Sequence, residues 1–258
     1  MRLIVAASDG PGWSHGSVRI EGVWHAGRQC QNCRVHEDLE RRLAAARGRV
    51  RELSRGLSRA TMDALRAAHE DQLTAERELA AARGEQYAQV IDIGPRWDIG
   101  APLPHLISNG SRAFVACLAS QPDPAWDGTY VRVVSPADEG PSLFVVIEMW
   151  GCQEIRFGGP NDEAIAGHPL YGKGLAGYRA HEVSNSQWIE TAIAVNSVHP
   201  HHSDAPFRQL HHYALLFHDE MLEALACGIE SRLVNGTMRE IMVSLTAELI
   251  EQPHRATR

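Results

Sequence analysis

Leu39, Leu43, Ala46, Val50, Leu53 and Leu57 recur at alternating steps of four and three inside residues 37–90, a stretch with no proline. That spacing keeps one apolar seam along a helix and is out of phase with a strand. Ala, Arg and Glu dominate the stretch, and its ten arginines balance ten acidic residues, so it is neutral and rich in i,i+4 pairing options. The seam weakens at Ser54-Arg-Gly-Leu-Ser-Arg-Ala and resumes less regularly at Met62, Leu65, Leu73 and Leu79. The pattern predicts a helical hairpin or one long bent helix. Its seam suits a coiled-coil arm that makes a homodimer, or a hairpin packed on its own domain.

This segment divides the chain into three. Residues 1–36 read as one or two short strands with Gly-rich turns. Met1-Arg-Leu-Ile-Val-Ala-Ala is a short apolar run without the longer hydrophobic region of an export signal, so it reads as a buried strand. Residues 37–90 are the arm, and residues 91–258 form the main domain. At 258 residues and 44% hydrophobic content the chain can bury a proper core. No run approaches the ~20 apolar residues that span a bilayer. Five cysteines, an odd number without an export signal, fit a reducing cytoplasmic setting. The net charge of −7 argues against nucleic acid as the main partner, because phosphate binding needs a basic face. The cations are 24 arginines and a single lysine, Lys173.

In the main domain, strand candidates are Ala113–Leu118, Thr129–Val134, Leu143–Met149, Cys152–Phe157, Tyr178–Val183, His212–Phe217 and Met221–Cys227. Tight turns are expected at Trp150-Gly151 and Asp219-Glu220, and each predicts an antiparallel hairpin. Two helices follow capping-box patterns, Ser184-Asn-Ser-Gln187 ahead of Trp188, Ile189, Ala192 and Ile193, and Thr237-Met-Arg-Glu240 ahead of Ile241, Leu245 and Leu249. The expected fold is α+β, an antiparallel sheet with two packed helices plus the N-terminal helical arm.

Chemistry concentrates between Gly158 and Glu220, which holds eight of the fourteen histidines. Asp162, Glu163 and His168 lie on a Gly/Pro-rich loop between strands, where acid, base or ligand groups are commonly presented. Gly172-Lys-Gly-Leu-Ala-Gly177 matches the dinucleotide fingerprint by letter, but a loop precedes it and a strand follows, so it is read instead as a loop offering Lys173 to an anion. His199, His201, His202 and Asp204 suit a zinc or iron site, with His211, His212 and His218 nearby in sequence. Strand alternation puts His212 on one face and His211 on the other, so these histidines cannot all reach one ion. Glu223 and Glu148 sit among apolar neighbours and call for partners, with Arg156 within reach across the first hairpin. Separately, His25, Cys30, Cys33 and His36 could close a tetrahedral zinc shell at the root of the arm; a redox pair or two ordinary cysteines are the other readings.

Gly100-Ala-Pro-Leu-Pro, Phe157-Gly-Gly-Pro-Asn-Asp-Glu-Ala, Gly167-His-Pro-Leu-Tyr-Gly-Lys-Gly-Leu, Glu182-Val-Ser-Asn-Ser-Gln-Trp-Ile and Phe217-His-Asp-Glu together resemble a bacterial family of uncharacterised proteins. The similarity covers residues 91–228; it implies the domain boundaries and no particular chemistry.

Two functional readings follow. In the first, the 158–177 loop and the 199–220 segment meet in a polar pocket that converts a small molecule. Asp162, Glu163, His168, Lys173 and His218 would be its working groups, with zinc at His199 and His201 as a further option. In the second, the chain is a non-catalytic binding protein dimerised through its arm.

Overall fold

A computed structural model describes residues 31–56, 58, 61–121, 135, 137 and 140–252. His25, Cys30 and the expected strand Thr129–Val134 lie outside the described residues.

The arm is a hairpin. Helix α1 spans Gln31–Ser54 and α2 spans Met62–Ala82. The break falls at the Gly-containing weak spot, where Thr61 hydroxyl bonds to the Gly56 and Ser58 carbonyls tie the turn. Leu39 and Leu43 close on Ala75 and Leu79, so the seam is covered within the chain at this end. The hairpin is also docked. Glu76 is buried on α2 and accepts from Arg47 at 3.1 Å, Gln72 at 2.9 Å and the Gly174 backbone N–H at 3.3 Å.

Among the described residues nine strands follow: β1 Tyr87–Val90, β2 His105–Ser108, β3 Arg112–Leu118, β4 Ser142–Trp150, β5 Glu154–Gly158, β6 Ala180–Ser184, β7 His211–Leu216, β8 Met221–Ala226 and β9 Gly228–Gly236. They form two antiparallel sheets, ordered β1-β6-β7-β8-β5 and β2-β3-β4-β9. The α+β class is as the sequence predicts, while the single expected sheet is two. The Asp219-Glu220 turn does join a hairpin, β7 to β8. The Trp150-Gly151 turn does not. It carries the chain out of one sheet, where β4 pairs with β3 and β9, into the other, where β5 pairs with β8. Gly151 has φ +61°, and a Cβ there would sit 2.6 Å from Cys227 Sγ, so the corner is packed against the β8–β9 connection.

The alternation of each strand sets four layers. Val115, Val145, Ile147 and Met149 from one sheet meet Leu215, Phe217, Leu222 and Ala224 from the other in the central core. Phe114, Ala116, Phe144 and Val146 face outward and are covered by α4 (Met238–Glu251) through Ile241, Leu245 and Leu249. On that face Arg112 joins Glu148 at 2.7 Å and Glu248 at 2.6 Å, with Arg232 on Glu248 at 2.9 Å. Glu148 thus finds its cation on β3 and not in Arg156. The outer face of the five-stranded sheet is covered by α3 (Gln187–Asn196) and the 159–179 loop. The capping box at Thr237 and Glu240 forms as read. For α3 the cap is Ser186, two residues past the expected Ser184, which is spent as the last residue of β6.

Candidate functional site

The tight β7–β8 turn fixes a register in which His212, Ala214 and Leu216 lie opposite Leu225, Glu223 and Met221 on the outer face. The neighbouring ladders extend this into a row, His181–Ala214–Glu223–Arg156. Glu223 Oε1 accepts from His212 Nε2 at 3.0 Å, and Oε2 lies 3.6 Å from His168 Nε2. Burial pushes the Glu223 carboxyl up, but the two imidazoles outweigh it and hold the group at about 2. His212 Nδ1 meets Ser186 Oγ at 2.9 Å, while that oxygen accepts from Ile189 N–H as the cap of α3. Trp188 edges onto His212, donates to Glu154 at 2.6 Å and lies under the Arg156 guanidinium at 3.8 Å.

Ser186, His212 and Glu223 form a serine–histidine–carboxylate chain, the residue types of a hydrolytic triad. The serine is 6% exposed and its oxygen already caps a helix. The chain therefore fastens α3 to the sheet and does not present a nucleophile. His181 is a second clasp. It is fully buried, gives its Nδ1 proton to Ala214 O at 3.2 Å and accepts from Ala176 N–H at 3.0 Å. Burial lowers its pKa to about 4, so it stays neutral and pins the loop to the sheet.

The solvent-facing chemistry lies one turn further along. Asp162 N–H donates to His218 O at 3.1 Å, which brings the glycine-rich loop onto the β7–β8 turn. Asp162 Oδ2 accepts the Tyr178 hydroxyl at 2.7 Å and lies 3.8 Å from His218 Nε2. Asp162 and Tyr178 line a cleft of about 160 Å³ with Ile165, Leu175, Leu216, Phe217, Glu220 and Tyr171, and His218 stands beside it through its approach to Asp162. Tyr178 holds φ +57°, a left-handed backbone that is uncommon for a bulky residue and costs on the order of 1–3 kcal/mol. Three groups here keep their protons to higher pH than usual. His218 does so through its hydrogen bond to Asp219 and the charges of Asp162 and Glu163. Tyr178 does so through Asp162, and Glu220 through burial and the nearby Asp219.

The structure thus brings Asp162 and His218 together and leaves Glu163 exposed beside them. His168 belongs to the Glu223 cluster. Lys173 is bound to Glu85 at 2.8 Å, and its carbonyl accepts from Ala88 N–H, so its charge is spent on docking the loop against the hairpin's exit. His199 and His201 are exposed on the turn after α3, where His201 N–H donates to His199 Nδ1 at 3.1 Å. Cys33 is exposed on α1, and the His36 ring meets Ala82 O at 3.1 Å, a bond that a metal at Nε2 would displace. Among the described residues, no three His, Cys, Asp or Glu side chains are gathered closely enough to hold a metal ion. Sequence reasoning missed Tyr178 and Glu220. Tyr178 falls at the start of the expected strand Tyr178–Val183, whereas β6 begins at Ala180, and only its Gly177 neighbour hints at the turn.

No helix among the described residues is long and apolar enough to cross a membrane. The chain matches no protein-family model, no curated protein and no solved structure.

Proposed function

We propose that the protein is an acid–base enzyme acting on a small polar molecule in the Asp162–Tyr178–His218 cleft. The observation that carries this reading is the convergence of Tyr178 and His218 on one oxygen of Asp162 at a cleft lined in part by apolar side chains, with Tyr178 in a strained backbone. Protonated His218 donates to a leaving oxygen or nitrogen. Asp162 takes a proton from water or from the substrate carbon through Oδ1, while the Tyr178 hydroxyl holds Oδ2 in place. Hydrolysis and elimination both fit these roles. We place the activity in the cytoplasm, without nucleic acid or membrane as partner.

The test is product formation, followed by NMR, from a panel of small esters, amides and hydroxy acids. Turnover by the native protein should fall at least about 100-fold in Asp162→Asn and His218→Gln and persist in His199→Ala. A substrate turned over equally well by all three variants would remove the cleft from the reaction. The binding-protein reading loses ground because Leu39 and Leu43, two of the six residues of its expected docking seam, already pack on α2.

A further inference from the structure

Tyr178 lines two cavities. Behind it, away from Asp162, lies a second cavity of about 240 Å³ formed by Val90 to Trp97 and by Tyr178, Arg179 and Ala180. Its two walls are fixed by main-chain bonds. Ile91 N–H donates to Ala180 O at 3.0 Å, Leu216 N–H to Arg179 O at 3.1 Å, and Ser120 N–H to Arg96 O at 2.9 Å. The Trp97 indole donates to Leu216 O at 3.2 Å and closes the inner end. The space is therefore preformed.

Its charge is unusual for this chain. Arg96 and Arg179 both line it, and among the described residues neither side chain forms an ion pair or a hydrogen bond, in a protein of net charge −7 whose other interior and loop cations are mostly matched. The acidic residue in the lining is Asp92, whose Oδ1 is engaged by Gly94 N–H at 2.9 Å. Two guanidinium forks against one occupied carboxylate leave an excess positive charge in a concave site. Guanidinium geometry suits carboxylate and phosphate oxygens in particular.

We infer that this cavity binds the anionic group, carboxylate or phosphate, of the molecule processed in the neighbouring cleft. This rests on the acid–base reading above for the word "processed", and not for the binding itself. Tyr178 is the shared wall, so a ligand anchored by Arg96 and Arg179 reaches past its ring toward Asp162 and His218. The strained backbone at Tyr178 turns its side chain toward the cleft while Arg179, the next residue, lines the other space.

The experiment is calorimetric titration of the full chain with inorganic phosphate and, separately, with succinate. Saturable binding of at least one probe is expected, weakened at least about 10-fold in Arg96→Gln/Arg179→Gln and unchanged in the exposed-site control Arg66→Gln. Circular dichroism checks that the double variant is folded, and Arg179→Lys, which keeps the charge, should recover part of the affinity. Phosphate without succinate binding identifies a phosphate site, and the reverse a carboxylate site. Absence of saturable binding of both probes, or equal affinity in the folded double variant, overturns the inference. Asp162→Asn separates the two proposals. Intact anion binding with turnover undiminished in Asp162→Asn leaves the anion site standing and sinks the acid–base reading. Turnover that survives loss of both arginines does the opposite.

Discussion

His212 Nε2 lies 3.0 Å from Glu223 Oε1, and this pair joins α3, the loop before it and the five-stranded sheet at one point. His212 hands the cap residue Ser186 to the sheet, and Glu223 holds His168 of the loop.

The pair makes stability depend on acid. Glu223 is held at about 2 against an ordinary 4.5, so the unfolded chain takes up its proton first as pH falls. Its contribution is complete above pH 4.5 and is lost as pH drops toward 2. By linkage it is worth up to about 3 kcal/mol. Urea unfolding between pH 7 and 3 should show a steeper acid loss for the native protein than for Glu223→Gln. Parallel curves would show that the carboxylate is not held by the two imidazoles.

His181 adds a second, earlier limb. Its folded pKa near 4 lies below the ordinary 6.5, so the unfolded state again binds the proton first. The stability it contributes is full above pH 6.5 and falls as pH goes down through about 4. Proton NMR should find one imidazole that does not titrate above pH 5 and that disappears in His181→Asn. A His181 midpoint near 6.5 would contradict its burial against Ala214 and Ala176.

Gly174 is the tightest contact between the loop and the hairpin. A Cβ there would sit 2.4 Å from the Ala88 carbonyl oxygen and 2.4 Å from Arg77 Cγ, on a backbone with φ +86°. Gly174→Ala should cost more than about 1 kcal/mol, seen as a lower Tm. Gly177→Ala, with nothing within 4 Å of its Cβ, is the control and should be near neutral.

Arg112 is the buried hub under α4. Glu148, 3% exposed, and Glu248 both depend on it. Arg112→Met leaves Glu148 to Arg232, 3.7 Å away and 41% exposed, and should cost about 3–5 kcal/mol in chemical denaturation. Arg112→Met/Glu148→Leu should recover part of that loss, because removing one partner of a buried ion pair costs more than replacing both by apolar groups.

What the sequence could show divides along the reach of its interactions. The helical character of the arm was legible because the spacing of Leu39, Leu43, Ala46, Val50 and Leu53 is a local property, whereas the choice of a hairpin over one long helix rests on Leu39 and Leu43 meeting Ala75 and Leu79, a contact between distant residues. The partnership of His212 with Glu223 was also within reach. A tight turn between Leu216 and Met221 fixes Ala214 opposite Glu223, which puts His212 next to it on the same face. The three strands that went unread have no such local mark. β1 and β2 are four residues each, and β9 is a mixed, half-buried edge strand reading Gly-Ile-Glu-Ser-Arg-Leu-Val-Asn-Gly. Trp150-Gly151 shows why a turn signal is not a pairing signal. The same residues that would close a hairpin here turn a corner between sheets, and the difference lies in Cys227, which packs against Gly151 and donates its N–H to Trp150 O. In the cleft, Asp162 and His218 were visible as polar groups on turns. Tyr178 was not, because its role depends on a positive φ that side-chain patterning does not encode.

The pairing of Tyr87 with Ser184 and of Val90 with His181 gives β1 a partner that is made nearly a hundred residues later. At ordinary synthesis speeds the ribosome needs on the order of ten seconds to cover that distance. During that wait β1 emerges with an open hydrogen-bonding edge, a hazard for nascent chains. The preceding helical hairpin is complete by then and is joined to β1 by a link of four residues, 83–86, that contains Gly84, so β1 waits for its partner at the foot of an already folded element.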